Sequence, residues 1–283
     1  MIILYIIICG LIFVAMISCI DINRLVVRDY SMDTDKLDGE VRIAFLSDMH
    51  NKEHGTDNYK LITAIRDFAP DLVLVGGDML TAHKGLGYDI PLKLMDRLKD
   101  YPVYYGIGNH EYRMKLYTED YGDGYEKYLA ELKDRGVKVL ENESAADCGL
   151  LIQGLMIDRV YYKRMSKIKM SADYIEELTG KRDDDSFRIL LAHNPEYFYA
   201  YSHCADLVLS GHVHGGIMKL PLLGGVISPR LRLFPKYDGG RFDENGSVMI
   251  VSRGLGSHTL PIRVFNPAEL VTITLHGNKT HKI

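Results

Sequence analysis

Five short aliphatic runs divide the chain, and each leads into small residues followed by a polar or metal-ligating side chain. The runs are residues 41–46, 71–75, 103–107, 187–191 and 205–209. Near-continuous aliphatic segments of this length are typical of strands that are covered on both faces, as in parallel sheets. The polar side chains that follow the runs therefore fall where a predicted strand ends.

Amphipathic patterns between the runs predict three helices, over 59–68, 90–98 and 125–132. After Gly246 two further strands are predicted with no helix between them, over 248–251 and 270–275. Strand–helix alternation is the mark of an α/β fold, and the last two strands indicate that its sheets are mixed. Such folds place their ligand sites at the ends of strands.

The N-terminal segment departs from this pattern, because Ile2 to Ile20 contains no charged residue. As a helix, these residues extend about 28 Å, close to the roughly 30 Å hydrocarbon core of a bilayer. A buried core helix is one alternative. A cleaved signal peptide is another, disfavoured because a basic N-terminal region and a small-residue cleavage site are missing. We therefore predict a transmembrane anchor over residues 1–20, a polar connector over 21–40 and one domain over 41–283.

The sequence leaves the orientation of this anchor open. Arg24 and Arg28 follow the apolar segment and no basic residue precedes it. Under the positive-inside rule this mildly favours a cytoplasmic domain. The predicted location is the cell membrane, with a single span and an undetermined side.

Composition narrows the class of protein further. The 283 residues are 47% hydrophobic and 25% charged, which is ordinary for a globular chain. A net charge of −4 lacks the basic footprint of a nucleic-acid-binding protein, so no nucleic-acid partner is expected. The 4 cysteines provide no disulfide scaffold, since two of them lie in the apolar N-terminal segment.

The polar side chains that follow the aliphatic runs form one chemical set. They are Asp48, His50, Asp78, Asn109, His110, His193, His212 and His214. Nitrogen and oxygen ligands of this kind suit Mn, Fe or Zn better than metals that prefer thiolates. Residues i and i+2 of an extended segment share a face, so Asp48 and His50 could reach one centre, as could His212 and His214. One such pair means little, but repeated ligand chemistry at five strand ends indicates a common metal site.

The order of these motifs resembles the calcineurin-like metallophosphoesterase superfamily. The resemblance covers residues 41 to about 275 and rests on five blocks: Asp48-x-His50, Gly77-Asp78, Gly108-Asn109-His110-Glu111, His193 and Gly211-His212-x-His214. The segments around Asp48, His212 and Ser252 look like the membrane-associated bacterial branch with phosphodiesterase activity. That branch also contains enzymes that hydrolyse the pyrophosphate of UDP-diacylglucosamine.

The resemblance implies a four-layer sandwich of two mixed β-sheets flanked by helices, and two divalent metal ions of Mn, Zn or Fe. By analogy Asp48, His50 and His214 hold one ion, Asn109, His193 and His212 hold the other, and Asp78 bridges them. A hydroxide that bridges two ions roughly 3.5–4 Å apart would attack phosphorus. His110, which holds no metal in the family pattern, would orient the phosphoryl group and protonate the leaving group. The chain has no obvious counterpart of the Asp that pairs with this His in some relatives.

Two hypotheses for function remain open at this point. The first is a membrane-anchored phosphodiesterase or pyrophosphatase acting on a phosphate ester of a lipid-linked or cell-envelope substrate. The second is a phosphomonoesterase or nucleotide hydrolase with a soluble substrate. Basic and aromatic residues over 159–169 and 221–236 are either a solvated surface or a rim that meets anionic lipid. A non-catalytic binding module would need damaged ligands, and every expected ligand type is present.

Overall fold

The computed structural model describes residues 1–163, 168–182, 185–216, 218–220, 224–227, 234–257 and 261–278. The α-helices are α1 (Ile2–Asn23), α2 (Tyr59–Phe68), α3 (Asp89–Arg97), α4 (Asn109–Leu116), α5 (Thr118–Tyr121), α6 (Gly124–Asp134), α7 (Ala172–Thr179) and α8 (Phe198–Tyr201). The strands are β1 (Leu25–Thr34), β2 (Asp38–Leu46), β3 (Leu72–Val75), β4 (Val103–Gly106), β5 (Lys138–Leu140), β6 (Ser144–Asp147), β7 (Leu150–Leu155), β8 (Phe187–Ala192), β9 (Leu207–Ser210), β10 (Met218–Leu220), β11 (Gly224–Ile227), β12 (Gly240–Glu244), β13 (Ser247–Val251) and β14 (Ala268–Asn278). Short 3₁₀ turns occupy Thr56–Asn58, Arg159–Tyr162 and Pro195–Tyr197.

The larger strands form two six-stranded sheets. The first sheet has the order β1-β14-β2-β3-β4-β5, and the second has the order β12-β13-β9-β8-β7-β6. Strands β2 to β5 are parallel, while β14 runs antiparallel to β2 and parallel to β1. In the second sheet β7, β8, β9 and β13 are parallel, and the edge strands β6 and β12 are antiparallel to their neighbours. Both sheets are therefore mixed.

Three apolar clusters show how the layers stack. One cluster lies between the first sheet and its helices, and includes Leu61 of α2 and Val73 of β3. The second joins the inner faces of the two sheets, with Phe45 of β2 and Leu209 of β9 among its members. The third packs the outer face of the second sheet against α7 and α8. The domain is thus an α/β sandwich of four layers, as the resemblance implied.

Local sequence patterns account for most of these elements. All four residues of β3 are buried, because its two faces contact different clusters, and this explains a continuous aliphatic run instead of an alternating one. Helix α2 buries Leu61, Ile62 and Ile65 on one side and ends at Ala69, which has a left-handed φ of 51° and precedes Pro70. The strands and helices predicted from the aliphatic runs and amphipathic segments are confirmed, with small shifts at their ends.

The predicted connector over 21–40 is wrong for most of its length. Helix α1 continues to Asn23, and residues Leu25–Thr34 form β1, which pairs in parallel with β14. Strand β1 lies at the edge of the first sheet, so its side chains alternate between partly buried and exposed positions and its composition is polar. The partner strand lies more than 230 residues further along the chain, and local patterns do not reveal such a pairing.

Helix α1 has the length and composition to cross a membrane, although a signal sequence near an N-terminus meets the same two criteria. Its apolar side chains are exposed along almost its entire length, and the two buried side chains are Ser18 and Asp21. This arrangement does not fit the core helix of a soluble protein, in which the apolar face is covered.

Candidate metal centre

The predicted ligands come together where strands of both sheets end. Asp48 and His50 follow β2, Asp78 follows β3, and Asn109 and His110 begin α4 directly after β4. His193 follows β8, and His212 and His214 follow β9 in the second sheet. The His193 Nδ1 donates a hydrogen bond to the carbonyl oxygen of Gly76 at 2.7 Å, which joins the ends of β8 and β3 across the sandwich.

The backbone at this site is unusual. Asp48, His50, Asp78, His212 and His214 all have positive φ values, between 48° and 70°. Residues with side chains rarely adopt this conformation, and clusters of such residues mark functional sites. Asp48 and His50 therefore reach one group of ligand atoms through left-handed turns, and the extended geometry expected from the i, i+2 spacing is wrong. His212 and His214 do not share a group, so the expectation that this pair reaches one centre is also wrong.

Close packing of backbone accompanies these turns. A Cβ atom on Gly211 would lie 2.0 Å from Asp48 Oδ2, and one on Gly108 would lie 2.3 Å from the backbone nitrogen of Asp78. Glycine is therefore required at both positions, because any side chain would displace a carboxylate of the site.

One group of potential ligands consists of Asp48, His50 and His214. The Nε2 atom of His214 lies 3.2 Å from Asp48 Oδ1 and 3.2 Å from the Nε2 atom of His50. The three side chains are buried. Each can direct one ligand atom to a common point, since these atoms lie within 4.8 Å of one another.

A second group consists of Asp78, His193 and His212, whose ligand atoms also lie within 4.8 Å of one another. The Asp78 Oδ2 atom is 3.1 Å from the Nε2 atom of His193. The same oxygen is 3.9 Å from the Nε2 atom of His50 in the first group. Asp78 therefore lies between the two groups, and together the groups can accommodate two divalent ions.

Asn109 contributes a further potential ligand. Its Oδ1 atom is buried and has no hydrogen-bond partner among the residues that the structure describes. Asn109 precedes His110, whose backbone nitrogen donates to Asp78 Oδ1 at 2.7 Å. A buried amide oxygen without a donor is costly unless a cation or water satisfies it, so this atom fits a metal site.

Hydrogen bonds to the histidine rings also fit metal binding. The Nδ1 atoms of His193 and His214 donate to the carbonyl oxygens of Gly76 and Gly256, at 2.7 Å and 3.1 Å. In the neutral ring this leaves the lone pair on Nε2, which is the atom that faces the carboxylates. Metal-ligating histidines commonly have their second nitrogen held in this way. The donor set therefore fits divalent metal ions.

The electrostatics of the metal-free site point the same way. Burial raises the pKa of Asp48 to about 6. Burial also opposes the charge of His193, but the carboxylates of Asp78 and Asp48 raise its pKa to about 9. Two buried carboxylates thus attract a proton to His193, and a metal cation would supply the positive charge in its place.

His110 differs from the other histidines. Its Nδ1 atom accepts a hydrogen bond from the backbone N–H of Ala82 at 2.9 Å, so the neutral ring carries its proton on Nε2. Burial lowers the pKa of His110, which favours this neutral form. The contact with Ala82 fixes the orientation of the ring. Its ligand atom also lies within 4.8 Å of those of His50 and Asp78.

Glu111 supports the site, and the sequence indicated no role for it. Its buried carboxylate accepts hydrogen bonds from the backbone N–H groups of Asp78, Met79 and Gly108 at 2.9, 3.0 and 3.1 Å. It also accepts a bond from the hydroxyl of Tyr105 at 2.6 Å. The turn that presents Asp78 is therefore tied to the start of α4. Its position next to His110 was the one signal in the sequence.

Arg263 and Asn266 support the opposite side of the site, and sequence reasoning missed both. The buried guanidinium of Arg263 donates to the carbonyl oxygens of Arg253, Gly254 and Gly256, within the segment that accepts the His214 Nδ1 bond. The amide of Asn266 donates to the carbonyl oxygen of His214 at 2.7 Å. Neither residue lies in a recognised motif.

The two basic and aromatic segments are described only in part. Arg159 lies over the Tyr117 ring at 4.7 Å, and the Tyr162 ring meets that of His212 with centroids 5.6 Å apart. The first segment therefore approaches the site. Most of the second, including Arg230 and Arg232, lies outside the described residues.

Comparison with known proteins shows the family to which the chain belongs. The sequence profile of the calcineurin-like phosphoesterases matches residues 41–216, more than half of the chain. The chain is 30% identical over 256 residues to an uncharacterised metallophosphoesterase of Helicobacter pylori, covering 88% of this chain but 63% of that protein. A metallophosphoesterase of Aquifex aeolicus is 30% identical over 260 residues, covering 89% of this chain and 92% of that protein. The chain belongs to the calcineurin-like phosphoesterase family.

Among solved structures, a dimetal phosphatase from Danio rerio matches with a TM-score of 0.43 and 11% sequence identity. The match covers 79% of this chain and 90% of that one.

Proposed function

We propose that this chain is a membrane-anchored phosphoesterase with two metal ions that hydrolyses a phosphodiester or pyrophosphate bond. The observation that carries the proposal is the position of Asp78 between the two groups of ligands. Asp48, His50 and His214 would hold one ion, and Asn109, His193 and His212 the other. Asp78 would contact both ions.

Two ions held in this way polarise the phosphoryl oxygens and lower the pKa of bound water. The protein supplies the remaining contributions. Asp48 and Asp78 provide the negative charge that retains the cations, while the carbonyl contacts of His193 and His214 keep their Nε2 lone pairs available. The nature of the metal, whether Mn, Zn or Fe, is not decided by these ligands.

We assign His110 to the substrate and not to a metal. Because Ala82 donates to Nδ1, the proton of the neutral His110 ring is on Nε2, which then acts as a donor and cannot ligate a cation. The Nε2–H group of the neutral ring can donate a hydrogen bond to a phosphoryl oxygen and so orient the substrate.

Helix α1 supports a lipid-linked or cell-envelope substrate for this enzyme. Its exposed apolar surface and the buried contacts of Ser18 and Asp21 with the domain would keep the site next to a bilayer. A phosphomonoesterase or nucleotide hydrolase acting on a soluble substrate is the alternative, since the metal site alone does not select the substrate.

The test uses the full chain in detergent, stripped of metal and reloaded with Mn²⁺ or Zn²⁺. Hydrolysis of bis-p-nitrophenyl phosphate is compared with that of p-nitrophenyl phosphate. We expect diester turnover that depends on metal and falls by more than about 100-fold in Asp78→Asn. Mutation of residues that only orient metal ligands costs up to about 100-fold in activity, so a larger loss indicates a ligand. Asp33→Asn, at an exposed position of β1, is the matched control.

The possible results separate the hypotheses. Turnover of the monoester alone would favour the soluble-substrate alternative. Failure of the wild-type chain to bind two equivalents of metal would refute the ligand assignment. Full activity of Asp78→Asn would refute the role of Asp78.

A further inference from the structure

The junction between α1 and the domain lies next to the candidate metal centre. Asp21 Oδ2 accepts a hydrogen bond from the backbone nitrogen of Asn266 at 2.9 Å, and the Asn266 amide donates to the carbonyl oxygen of His214 at 2.7 Å. Two hydrogen bonds therefore separate the end of the helix from the backbone of a potential metal ligand. A bilayer that contains α1 would reach the domain at this edge.

Polar contacts form the junction, and the one made by Ser18 is buried. Ser18 Oγ accepts a bond from the backbone nitrogen of Arg263 at 3.1 Å, and Lys52 Nζ donates to Asn23 Oδ1 at 3.0 Å. The side chain of Arg263 is buried, and its guanidinium donates to the backbone carbonyl oxygens of Arg253 and Gly254. Three hydrogen bonds thus attach the last two turns of α1 to the domain.

Two exposed apolar side chains flank these contacts. Ile262, next to Arg263, is 39% exposed, and Phe265, next to Asn266, is 45% exposed. Ile20, between the contacts made by Ser18 and Asp21, is 55% exposed. The three residues are therefore exposed apolar side chains next to the residues that join α1 to the domain.

The backbone of Phe265 adds an independent observation. Its φ is 54°, in the left-handed region that bulky residues rarely adopt. Nearly half of this residue remains exposed, so burial in the protein offsets the backbone strain only in part. Such outliers indicate function, and an aromatic ring is favoured where one side of a surface is apolar and the other is wet.

We propose that Ile20, Ile262 and Phe265 form a lipid-contacting patch that holds the metal-binding edge of the domain against the headgroup layer. The occupant of the patch is the bilayer that contains α1, because hydrogen bonds to Ser18 and Asp21 hold the neighbours of Ile262 and Phe265 against the last turns of that helix. The proposal rests on the membrane anchoring in the proposed function and extends it. It places the site at the depth where the phosphate ester of a lipid-linked substrate would lie.

The chain contains no tryptophan, so a single introduced tryptophan reports on its own surroundings. Three full-length variants are compared: Phe265→Trp in the patch, Phe13→Trp in the middle of α1, and Leu116→Trp at the far end of α4. Leu116 is 41% exposed, which matches the exposure of Phe265. Each variant is reconstituted in vesicles of phosphatidylcholine and phosphatidylglycerol, with or without brominated acyl chains, and thermal unfolding confirms that each is folded.

We expect brominated lipid to remove more than half of the emission of Phe265→Trp and Phe13→Trp, and little of that of Leu116→Trp. Quenching of Phe13→Trp without Phe265→Trp would overturn the patch and leave the anchoring intact. Equal quenching of Phe265→Trp and Leu116→Trp would also overturn it, as would a concentration-dependent blue shift of Phe265→Trp in detergent, which indicates self-association. Absence of quenching in Phe13→Trp would refute the anchoring, and the patch with it.

Discussion

Glu111 provides a direct test of how the turn that carries Asp78 is stabilised. Each of its two oxygens accepts two hydrogen bonds: Oε2 from the N–H groups of Asp78 and Gly108, and Oε1 from the N–H of Met79 and the hydroxyl of Tyr105. Glu111→Gln preserves the volume of the side chain and replaces one acceptor oxygen by an NH₂ group. Two of the four buried donors would then face another donor.

The cost follows from these contacts. Leaving one buried donor without an acceptor costs roughly 1–3 kcal/mol, so two cost roughly 2–6 kcal/mol. If the Tyr105 hydroxyl turns to accept a bond from the new NH₂ group, only the Met79 N–H loses its acceptor, and the cost is roughly 1–3 kcal/mol. One kcal/mol lowers the Tm of a chain of this size by roughly 2–4 °C. We expect the substitution to lower Tm by at least about 4 °C with both donors lost.

The assay is thermal unfolding of the full chain in detergent, followed by near-ultraviolet circular dichroism with and without metal. Glu119→Gln, at an exposed position of α5, is the matched control and should leave Tm unchanged. A Tm for Glu111→Gln equal to that of Glu119→Gln would refute the reasoning, because it would mean that the buried N–H groups do not require the carboxylate. A fall in metal affinity without a change in Tm would assign Glu111 to ligand positioning alone.

Three further predictions follow from the site. His110→Ala removes the proposed donor to the phosphoryl oxygen and should lower kcat by about 100- to 1,000-fold with the metal content unchanged, and loss of metal from this variant would show instead that His110 is a ligand. Asp21→Ala removes the acceptor for the backbone N–H of Asn266 and should lower the free energy of unfolding by about 1 kcal/mol, measured by thermal unfolding. Asp21→Asn retains an acceptor oxygen and should keep the wild-type stability. Equal losses in the two variants would contradict a hydrogen-bonding role. In the metal-free chain His193 has a pKa of about 9, so below that pH it must lose a proton to bind metal, and Mn²⁺ affinity should rise with pH towards 9. Calorimetry in two buffers of different ionisation enthalpy measures the protons released, and a release of none would contradict this reasoning.

Local patterns in the sequence were sufficient for most of the helices and strands. Side chains two residues apart share a face of a strand, and those three or four apart share a face of a helix. A short segment of sequence therefore predicts which face of the element is buried. The predicted helix over 59–68 and the aliphatic strands are confirmed for this reason. The motifs that follow the strands likewise identified the side chains that the fold brings together.

Pairing between strands that are far apart in the sequence could not be predicted from these local patterns. Strand β1 was interpreted as a connector because its polar side chains lie at a sheet edge, and its partner β14 is remote in the sequence. The same limit applies to Arg263 and Asn266, which act by contacts with segments near Gly254 and His214. Neither residue has a local signature, since a single buried polar side chain has no periodicity.

The sequence by itself determined the class of fold, the set of candidate ligand side chains and the apolar helix at the N-terminus. The tertiary structure decided how these side chains meet. It showed that Asp48 and His214 reach one point through left-handed turns, that Asp78 lies between two groups, and that a backbone N–H of Ala82 orients His110. The physical reason is that residue type and spacing specify chemistry and local periodicity, whereas distances between atoms from different strands depend on how the two sheets pack.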